Sequence, residues 1–302
     1  MKNNFKIIEK TKIWFILSGL MLLLTIGSFL VQGLNYGIDF LGGTIITIDL
    51  HQHFKTEDAR KIVDPYDKGA DITYAGDDKT NIIIGTKENL DEKQRKEIFE
   101  GFKKEYGLED KDLLSIDTIS PTIGGETAKN AALASTVVVV MILVYITFRF
   151  QFFFGLAAVS ALIHDVIIMI GVYSFFRIPV NSPFIAAILT ILGYSINDTI
   201  VVFDRIRENS RLYKKMDVDE LVNRSINQSL RRSVNTTLTT LMAVTSLYIF
   251  GGVAIRDFAL PLIVGLIIGC YSSIFVASPI WVLLEKKFPH SRFTQKAKRV
   301  RG

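Results

Sequence analysis

The run IWFILSGLMLLLTIGSFLVQ, residues 13–32, contains twenty residues and no charged side chain. An α-helix rises about 1.5 Å per residue, so a run of this length can cross the roughly 30 Å of hydrocarbon in a bilayer. The lysines before it would also fit a cleaved leader, whose apolar core is usually about 7–15 residues long and ends in small residues. This run is longer and ends in Phe29–Gln32, which offers no such cleavage site. It therefore predicts a retained membrane anchor.

Five further segments are long enough to cross a membrane, although they differ in polarity. Asn130–Phe148 and Phe258–Leu284 carry no charge. The segment 152–176 contains His164 and Asp165, and 183–203 contains Asp198. The segment 235–253 contains several Thr and Ser residues. We expect a membrane all-α six-helix bundle, with the spans at residues 13–32, 128–149, 152–176, 183–203, 235–253 and 258–284.

The distribution of Lys and Arg predicts the orientation in the membrane, because cytoplasmic loops carry an excess of both. Residues 1–12 hold four, the predicted loop 204–234 holds eight, and the tail 285–302 holds seven, whereas the short loops on the other side hold only Arg177 and Arg256. Both termini are therefore expected in the cytoplasm, and residues 33–127 outside. That external segment has twelve basic and twenty acidic residues, a net charge of −8. The excess of positive charge reflects membrane orientation, so we expect no nucleic-acid partner.

The external segment alternates strand-like and helix-like patterns. Four predicted strands and two predicted helices follow the order βαββαβ, an α+β ferredoxin-like arrangement. They are Thr44–Leu50, Thr56–Val63 with Thr56 as its cap, Asp71–Tyr74, Asn81–Gly85 after a turn at residues 75–78, Asp91–Tyr106 and Leu113–Ile119. Cys270 is the only cysteine in the sequence, so no intrachain disulfide is possible and this domain must be stable through its core.

Ionisable residues inside the spans are the main candidates for function. A charged side chain at the centre of a membrane helix costs about 2.5–3.5 kcal/mol on insertion scales, so its presence needs a reason. Asp198, beside Ser195 and Asn197, is predicted to take and release protons; the alternative is a polar residue that only holds helices together. Asp165 follows His164 directly, and the two could simply be paired.

The fifth predicted span begins with a polar stretch. Arg232 is followed by Asn235, Thr236 and further threonines, so this helix should face protein or water rather than lipid. Arg231 and Arg232 would otherwise serve only as topological anchors.

Two glycine patterns favour structural roles. Gly37, Asp39, Gly42 and Gly43 join the first span to the first strand, where glycine permits a tight corner, and a hinge is favoured over a ligand loop. In the last span, small residues repeat every four positions and predict a face for a neighbouring helix, internal or from another subunit. They are Gly265, Gly269 and Ser273.

Several stretches resemble the SecF branch of the SecD/SecF family of bacterial protein-export membrane proteins, in the RND superfamily. The most specific is GYSINDTIVVFDRIREN, residues 193–209, supported by residues 37–44, 161–165, 225–237, 256–259 and 271–275. The external domain is similar only in size and pattern.

The resemblance implies a function. In this family a SecD half pairs with a SecF half, forming a complex that assists the SecYEG channel, with YajC as a further associate, and uses the proton-motive force to draw unfolded preprotein out of the bacterial cell (inner or plasma) membrane. It also implies that Asp198 is the essential carboxylate and Arg232 the essential arginine. No enzyme activity, cofactor or metal is expected.

Two other functions are alternatives that the sequence favours less. An RND-type small-molecule or lipid exporter half would need an apolar substrate cleft, which one small external domain hardly provides. An intramembrane protease would need two facing carboxylates or a His-Glu-x-x-His zinc motif, and neither is present at a known spacing.

Overall fold

The structure, a computed structural model, describes residues 5–75, 80–150 and 152–288. Residues 76–78 of the predicted turn, the first four residues of the predicted cytoplasmic N-terminus and the basic tail beyond residue 288 lie outside this part of the chain.

Most of the described chain is helical. The long helices are α1 (Thr11–Gln32), α5 (Pro121–Arg149), α6 (Phe152–Phe175), α7 (Ser182–Leu212), α8 (Val218–Phe250) and α9 (Val253–Ser272), which continues through a π-helical turn (Ser273–Ala277) into α10 (Ser278–Lys287). α5 thus begins before residue 128, where the span was predicted to start, because Ser120 accepts a hydrogen bond from the Ile123 N–H and Pro121 fits the first helical position.

Within the described residues, five helical stretches are long and apolar enough to cross a membrane. They are Ile8–Gln32, Pro121–Phe148, Phe152–Phe175, Ser182–Leu212 and Ala254–Lys287. In α6, α7 and the last helix, 50–61% of the most apolar stretch is buried, against 11% in α1 and 6% in α5. The helices α6, α7 and α9–α10 therefore form the centre of the bundle, and α1 and α5 lie at its edge. The fifth predicted span, residues 235–253, falls mostly in α8, whose polar residues keep its mean hydropathy below that of the other five stretches.

Residues 204–234 were predicted to form a loop, and this prediction is wrong because most of them are helical. α7 continues to Leu212 and α8 begins at Val218, so only a short turn separates them. Asp217 caps α8 by accepting a hydrogen bond from the Asp219 N–H, and buried Ile206, Leu221, Val222 and Ile226 continue the apolar faces of the two helices. The charged residues of this segment thus lie mostly on helices.

The segment predicted to lie outside the membrane, called the external domain below, folds around a four-stranded antiparallel sheet. Its strands are β2 (Gly43–Asp49), β3 (Asp71–Ala75), β4 (Asn81–Thr86) and β5 (Leu113–Ile119), and their order in the sheet is β3-β4-β2-β5. Two helices, α3 (Thr56–Val63) and α4 (Glu92–Tyr106), lie between strands in the chain, giving the order βαββαβ. A core of Ile46, Ile48, Ile82, Ile84, Ile98 and Phe102, each completely buried, joins the sheet to the helices.

The two helices of this domain begin differently. Asp91 caps α4 with a capping box, in which its carboxylate accepts the Gln94 N–H and the Gln94 side chain accepts the Asp91 N–H. Thr56 does not cap α3 as predicted. The cap position is Lys55, without a side-chain bond, and the Thr56 hydroxyl lies 3.1 Å from the Tyr74 hydroxyl. The Thr56 hydroxyl thus contacts the Tyr74 hydroxyl of β3 instead of a backbone N–H in the first turn of α3.

A short connecting segment joins α1 to the sheet. It contains β1 (Asn35–Tyr36), which pairs in parallel with β6 (Pro179–Val180) just before α7, and the single-turn helix α2 (Ile38–Leu41). Gly42 and Gly43 have backbone φ angles of 80° and 145°, which residues other than glycine rarely adopt. The segment therefore turns sharply between the membrane helices and the domain.

Candidate functional site in the membrane helices

Asp198 lies in α7 where that helix packs against α8 and α9. Only 8% of Asp198 is exposed, and its Oδ2 accepts a hydrogen bond of 3.3 Å from the Thr237 hydroxyl of α8. A buried carboxylate needs such a partner, because an isolated charge in a medium of low polarity is strongly unfavourable.

A narrow recess opens beside this carboxylate. It has room for about one water molecule and is lined by Tyr194, Ser195, Asn197, Asp198, Thr236, Thr237, Gly265, Leu266, Gly269 and Cys270. Asp198 is therefore buried and yet borders a space that water can enter, which is the situation a group needs if it is to exchange protons.

A second polar cluster surrounds Asp165 in the middle of the bundle. Asp165 is 1% exposed, and its Oδ2 accepts hydrogen bonds from the Ser195 hydroxyl at 2.6 Å and the Ser272 hydroxyl at 2.8 Å. Its Oδ1 lies 3.1 Å from the His164 Nδ1, so the neighbouring residues are indeed paired. The His164 ring stacks on the Tyr271 ring at 6.2 Å between centroids.

Ser195 extends the Asp165 cluster along α7 towards Asp198. It precedes Asp198 by one helical turn, and its carbonyl accepts hydrogen bonds from the hydroxyls of Thr199 and Ser273. Those hydroxyls also lie 2.8 Å apart. The polar groups of α6, α7 and the π-helical turn thus form one continuous network, and π-helical turns are frequent at functional sites.

Close packing of α7 on α9 brings these groups together. A side chain on Gly265 would overlap Ile191, and one on Gly269 would press on Ser195. The small-residue face predicted in the last span therefore packs against an internal neighbour, α7.

The arginine and the remaining predicted polar residues lie outside the buried network. Arg232, Asn197, Asn235 and Thr236 are exposed in the isolated chain. Among the described residues, no salt bridge joins Arg232 to Asp198, although the two are near enough for their charges to interact. Thr237 lies five residues, about 7.5 Å, further along α8 than Arg232.

Three residues outside the predicted site set complete the site, although Thr199 and Thr237 belong to the polar stretches that the sequence shows around it. Thr237, rather than Thr236, contacts Asp198, and Ser272 and Thr199 bind within the second cluster. The available signal was general: a hydroxyl inside a membrane span needs a hydrogen-bonding partner. Which partner each one takes depends on helix packing.

The described residues include no group of three or more His, Cys, Asp or Glu side chains that could hold a metal ion.

The sequence matches two family models. Residues 99–287 match the protein export membrane protein SecD/SecF C-terminal family, and residues 27–52 match the SecD/SecF GG motif. The chain belongs to the SecD/SecF protein-export family. Within that family it is 40% identical to the protein translocase subunit SecF of Sebaldella termitidis, an alignment that covers 94% of this chain and 92% of the relative.

Longer members of the SecD/SecF family contain a similar region within one chain. The protein translocase subunit SecDF of Thermus thermophilus is 41% identical over 89% of this chain, which covers 37% of that protein. A crystal structure of SecDF from Thermus thermophilus, a translocon-associated membrane protein, superposes with a TM-score of 0.82 at 38% identity, over 93% of this chain and 39% of the larger one. The chain is thus a multi-pass membrane protein of the SecF type, with a supporting role in protein export, and the small-molecule exporter alternative is not favoured.

Proposed function

We propose that this protein couples proton movement to preprotein export, with Asp198 as the proton-binding group and Arg232 as its charged partner. The observation that carries the proposal is a single one: a buried carboxylate in a membrane helix, hydrogen-bonded to the neighbouring helix and open to a water-sized recess. A carboxylate in such a place changes its interactions strongly when it gains a proton.

The expected switch is electrostatic. Ionised Asp198 attracts Arg232 and holds α7 and α8 together, and protonation removes that attraction. A unit charge that crosses the membrane potential releases about 2.3 kcal/mol per 100 mV, enough to shift an equilibrium between two conformations. His164, Asp165, Ser195, Asn197, Asn235 and Thr236 are proposed to support the switch by keeping its surroundings polar.

The proposed assembly is a heterodimer with a SecD-type half, as in an RND transporter. The relatives named SecDF carry a region like this chain within a protein about two and a half times as long. In the described part of the chain, Arg232, Asn235, Thr236 and Thr239 are exposed along α8, and polar groups at membrane depth need a partner. A second polar bundle would supply it. SecYEG, YajC and unfolded preprotein are proposed as further partners.

We also propose a finer architecture. The second half of α8 would form the fifth of six spans, because α8 is 33 residues long, about 50 Å, and packs against α7 and α9. The external domain would be ferredoxin-like, since the order βαββαβ with the sheet order β3-β4-β2-β5 supports that arrangement. Both termini would face the cytoplasm of a bacterial cell (inner or plasma) membrane.

The test is secretion by inverted membrane vesicles that contain the protein and its SecD-type partner, with and without a proton gradient. Asp198→Asn keeps the size of the side chain and its hydrogen bonding but cannot ionise. We expect normal insertion and assembly, and a secretion rate with the gradient no higher than without it. Asp198→Glu, which keeps the charge, should retain part of the stimulation. Wild-type secretion by Asp198→Asn would refute the proton-binding role.

A further inference from the structure

The first turn of α7 is capped by a residue far away in the sequence. The first N–H groups of a helix lack partners within the helix, and a carboxylate placed there is favourable. The Ser182 N–H donates to the Asp39 Oδ2 at 2.7 Å, across 143 residues of sequence. The residue at the cap position, Asn181, makes no cap bond of its own, and its amide donates instead to the Asp257 Oδ2 of α9 at 3.3 Å.

Asp39 lies in a segment that is closely packed on both sides. On the side towards α1, the Gly37 N–H donates to the Val180 carbonyl at 2.9 Å, and a side chain at Gly37 would overlap the Asn181 amide. On the other side, Gly43 opens β2, a central strand that pairs with both β4 and β5. A side chain on Gly124 of α5 would press on the Phe40 carbonyl, so α2 is also packed tightly against α5. The segment 35–43 is thus short and closely fitted, with little freedom to absorb movement.

The other end of this connection is the candidate site. α7 is a continuous helix from Ser182 to Leu212, and Asp198 follows Ser182 by sixteen residues, about 24 Å along the axis. A movement of α7 at Asp198 therefore reaches its N-terminal turn, which is joined to the segment leading into β2 by the Asp39 carboxylate and, just before the helix, by the β1–β6 pairing.

We propose that Asp39 is a positioning residue that transmits movement of α7 to the external domain through its hydrogen bond to the Ser182 N–H. This inference rests on the proposed function, because it takes protonation of Asp198 as the source of the movement. The requirement is for an acceptor oxygen at the N-terminal turn of α7, so asparagine, which also caps helices well, should substitute for aspartate.

The experiment measures the distance between the external domain and the membrane bundle by electron spin resonance. Spin labels are attached at Lys104→Cys, on the exposed face of α4, and Phe176→Cys, an exposed position after α6, in a Cys270→Ser background and in the full complex with its SecD-type half. The chain with Asp198 is compared with Asp198→Asn, which imitates the protonated carboxylate. We expect a different distance distribution for the two.

Asp39→Ala should abolish this difference and reduce secretion with a proton gradient to the rate without one, whereas Asp39→Asn should keep the difference and at least half of the stimulation. Asp91→Ala is the matched control: it removes an equivalent helix cap, but from α4 inside the external domain, and should keep the difference. An unchanged difference in Asp39→Ala would overturn the role of Asp39.

The two proposals fail in distinguishable ways. If Asp198→Asn loses gradient-driven secretion but gives the same distances as the chain with Asp198, the transmission is overturned and the proton-binding role stands. If Asp198→Asn secretes normally, the proposed function itself is overturned.

Discussion

Arg232 and Arg231 are neighbours at the start of the polar stretch of α8, and both are exposed in the isolated chain. Arg232→Lys keeps the charge but loses the planar group with several donors, so we expect partial loss of gradient-driven secretion, with a larger loss in Arg232→Ala. The matched control is Arg231→Ala, which should be close to wild type. A greater defect in Arg231→Ala would reassign the role to that neighbour.

Thr237 offers a prediction that depends on the structure rather than on the sequence. Thr237→Val keeps the shape of the side chain and removes the hydroxyl that donates to Asp198. A hydrogen bond contributes about 0.5–1.5 kcal/mol, so we expect gradient-driven secretion to fall roughly two- to tenfold. Thr245→Val, the same change about two turns further along α8 and outside the recess, should change the rate little. Equal effects of the two variants would show that the hydrogen bond to Asp198 has no special part.

At the scale of single elements, His51 ties the end of β2 to the start of β5. Its Nε2 lies 2.9 Å from the Asp112 Oδ1, and its Nδ1 lies 3.3 Å from the Asp49 Oδ2. The hydrogen bond to Asp112 raises the pKa of His51, and the nearby Asp49 carboxylate adds to this. The pKa of Asp112 is lowered, first by the Glu109 N–H and then by His51, so Asp112 stays ionised throughout the range in which His51 titrates.

The direction of the pH effect follows from these shifts. A raised pKa in the folded state means that protonated His51 stabilises the domain fully below its unfolded pKa of about 6.5, and that this stabilisation is lost as the pH rises through the folded pKa. Hydrogen exchange in Leu113–Ile119 of the full chain, corrected for intrinsic rates, should therefore be slower at about pH 5.5 than at about pH 8.5. His51→Gln should remove this dependence, and His53→Gln should keep it. The same dependence in His51→Gln would contradict the assignment.

The sequence predicted the elements of the external domain well, for local reasons. The helix Thr56–Val63 and the strand Leu113–Ile119 have the predicted bounds, because their patterns are clear and turn residues flank them. In the segment 204–234 the dense charge favours a loop, whereas buried apolar residues at helical spacing continue α7 and α8 through it. Asp217, followed by acidic residues in the first turn, was a readable start signal for α8.

The candidate site was only partly predictable. Single residues such as Asp198 and Asp165 stand out because charge is rare in a span. The bond from Ser195 to Asp165 and the bond from Thr237 to Asp198 join different helices, so they depend on rotation and depth of packing. No pattern within one helix specifies those quantities.

At the scale of the whole molecule, the exposed face of α7 predicts where the SecD-type half binds. Ala186, Gly193 and Asn197 are exposed along one side of the helix, whereas Ala187 and Ile191 are buried within this chain. Single cysteines placed along residues 185–202 in a Cys270→Ser background should crosslink to the SecD-type half at the exposed positions and not at the two buried ones. Crosslinks only between copies of this chain would contradict the heterodimer and favour a homo-oligomer.

The recess beside Asp198 has one further property: Cys270, the only cysteine in the sequence, is part of its wall. The unmodified protein therefore carries a built-in chemical reporter. A small maleimide that enters the recess would reach this thiol, so the labelling rate should rise when the space next to the carboxylate opens. Labelling kinetics during active secretion would then time that opening in the native protein, without an added tag.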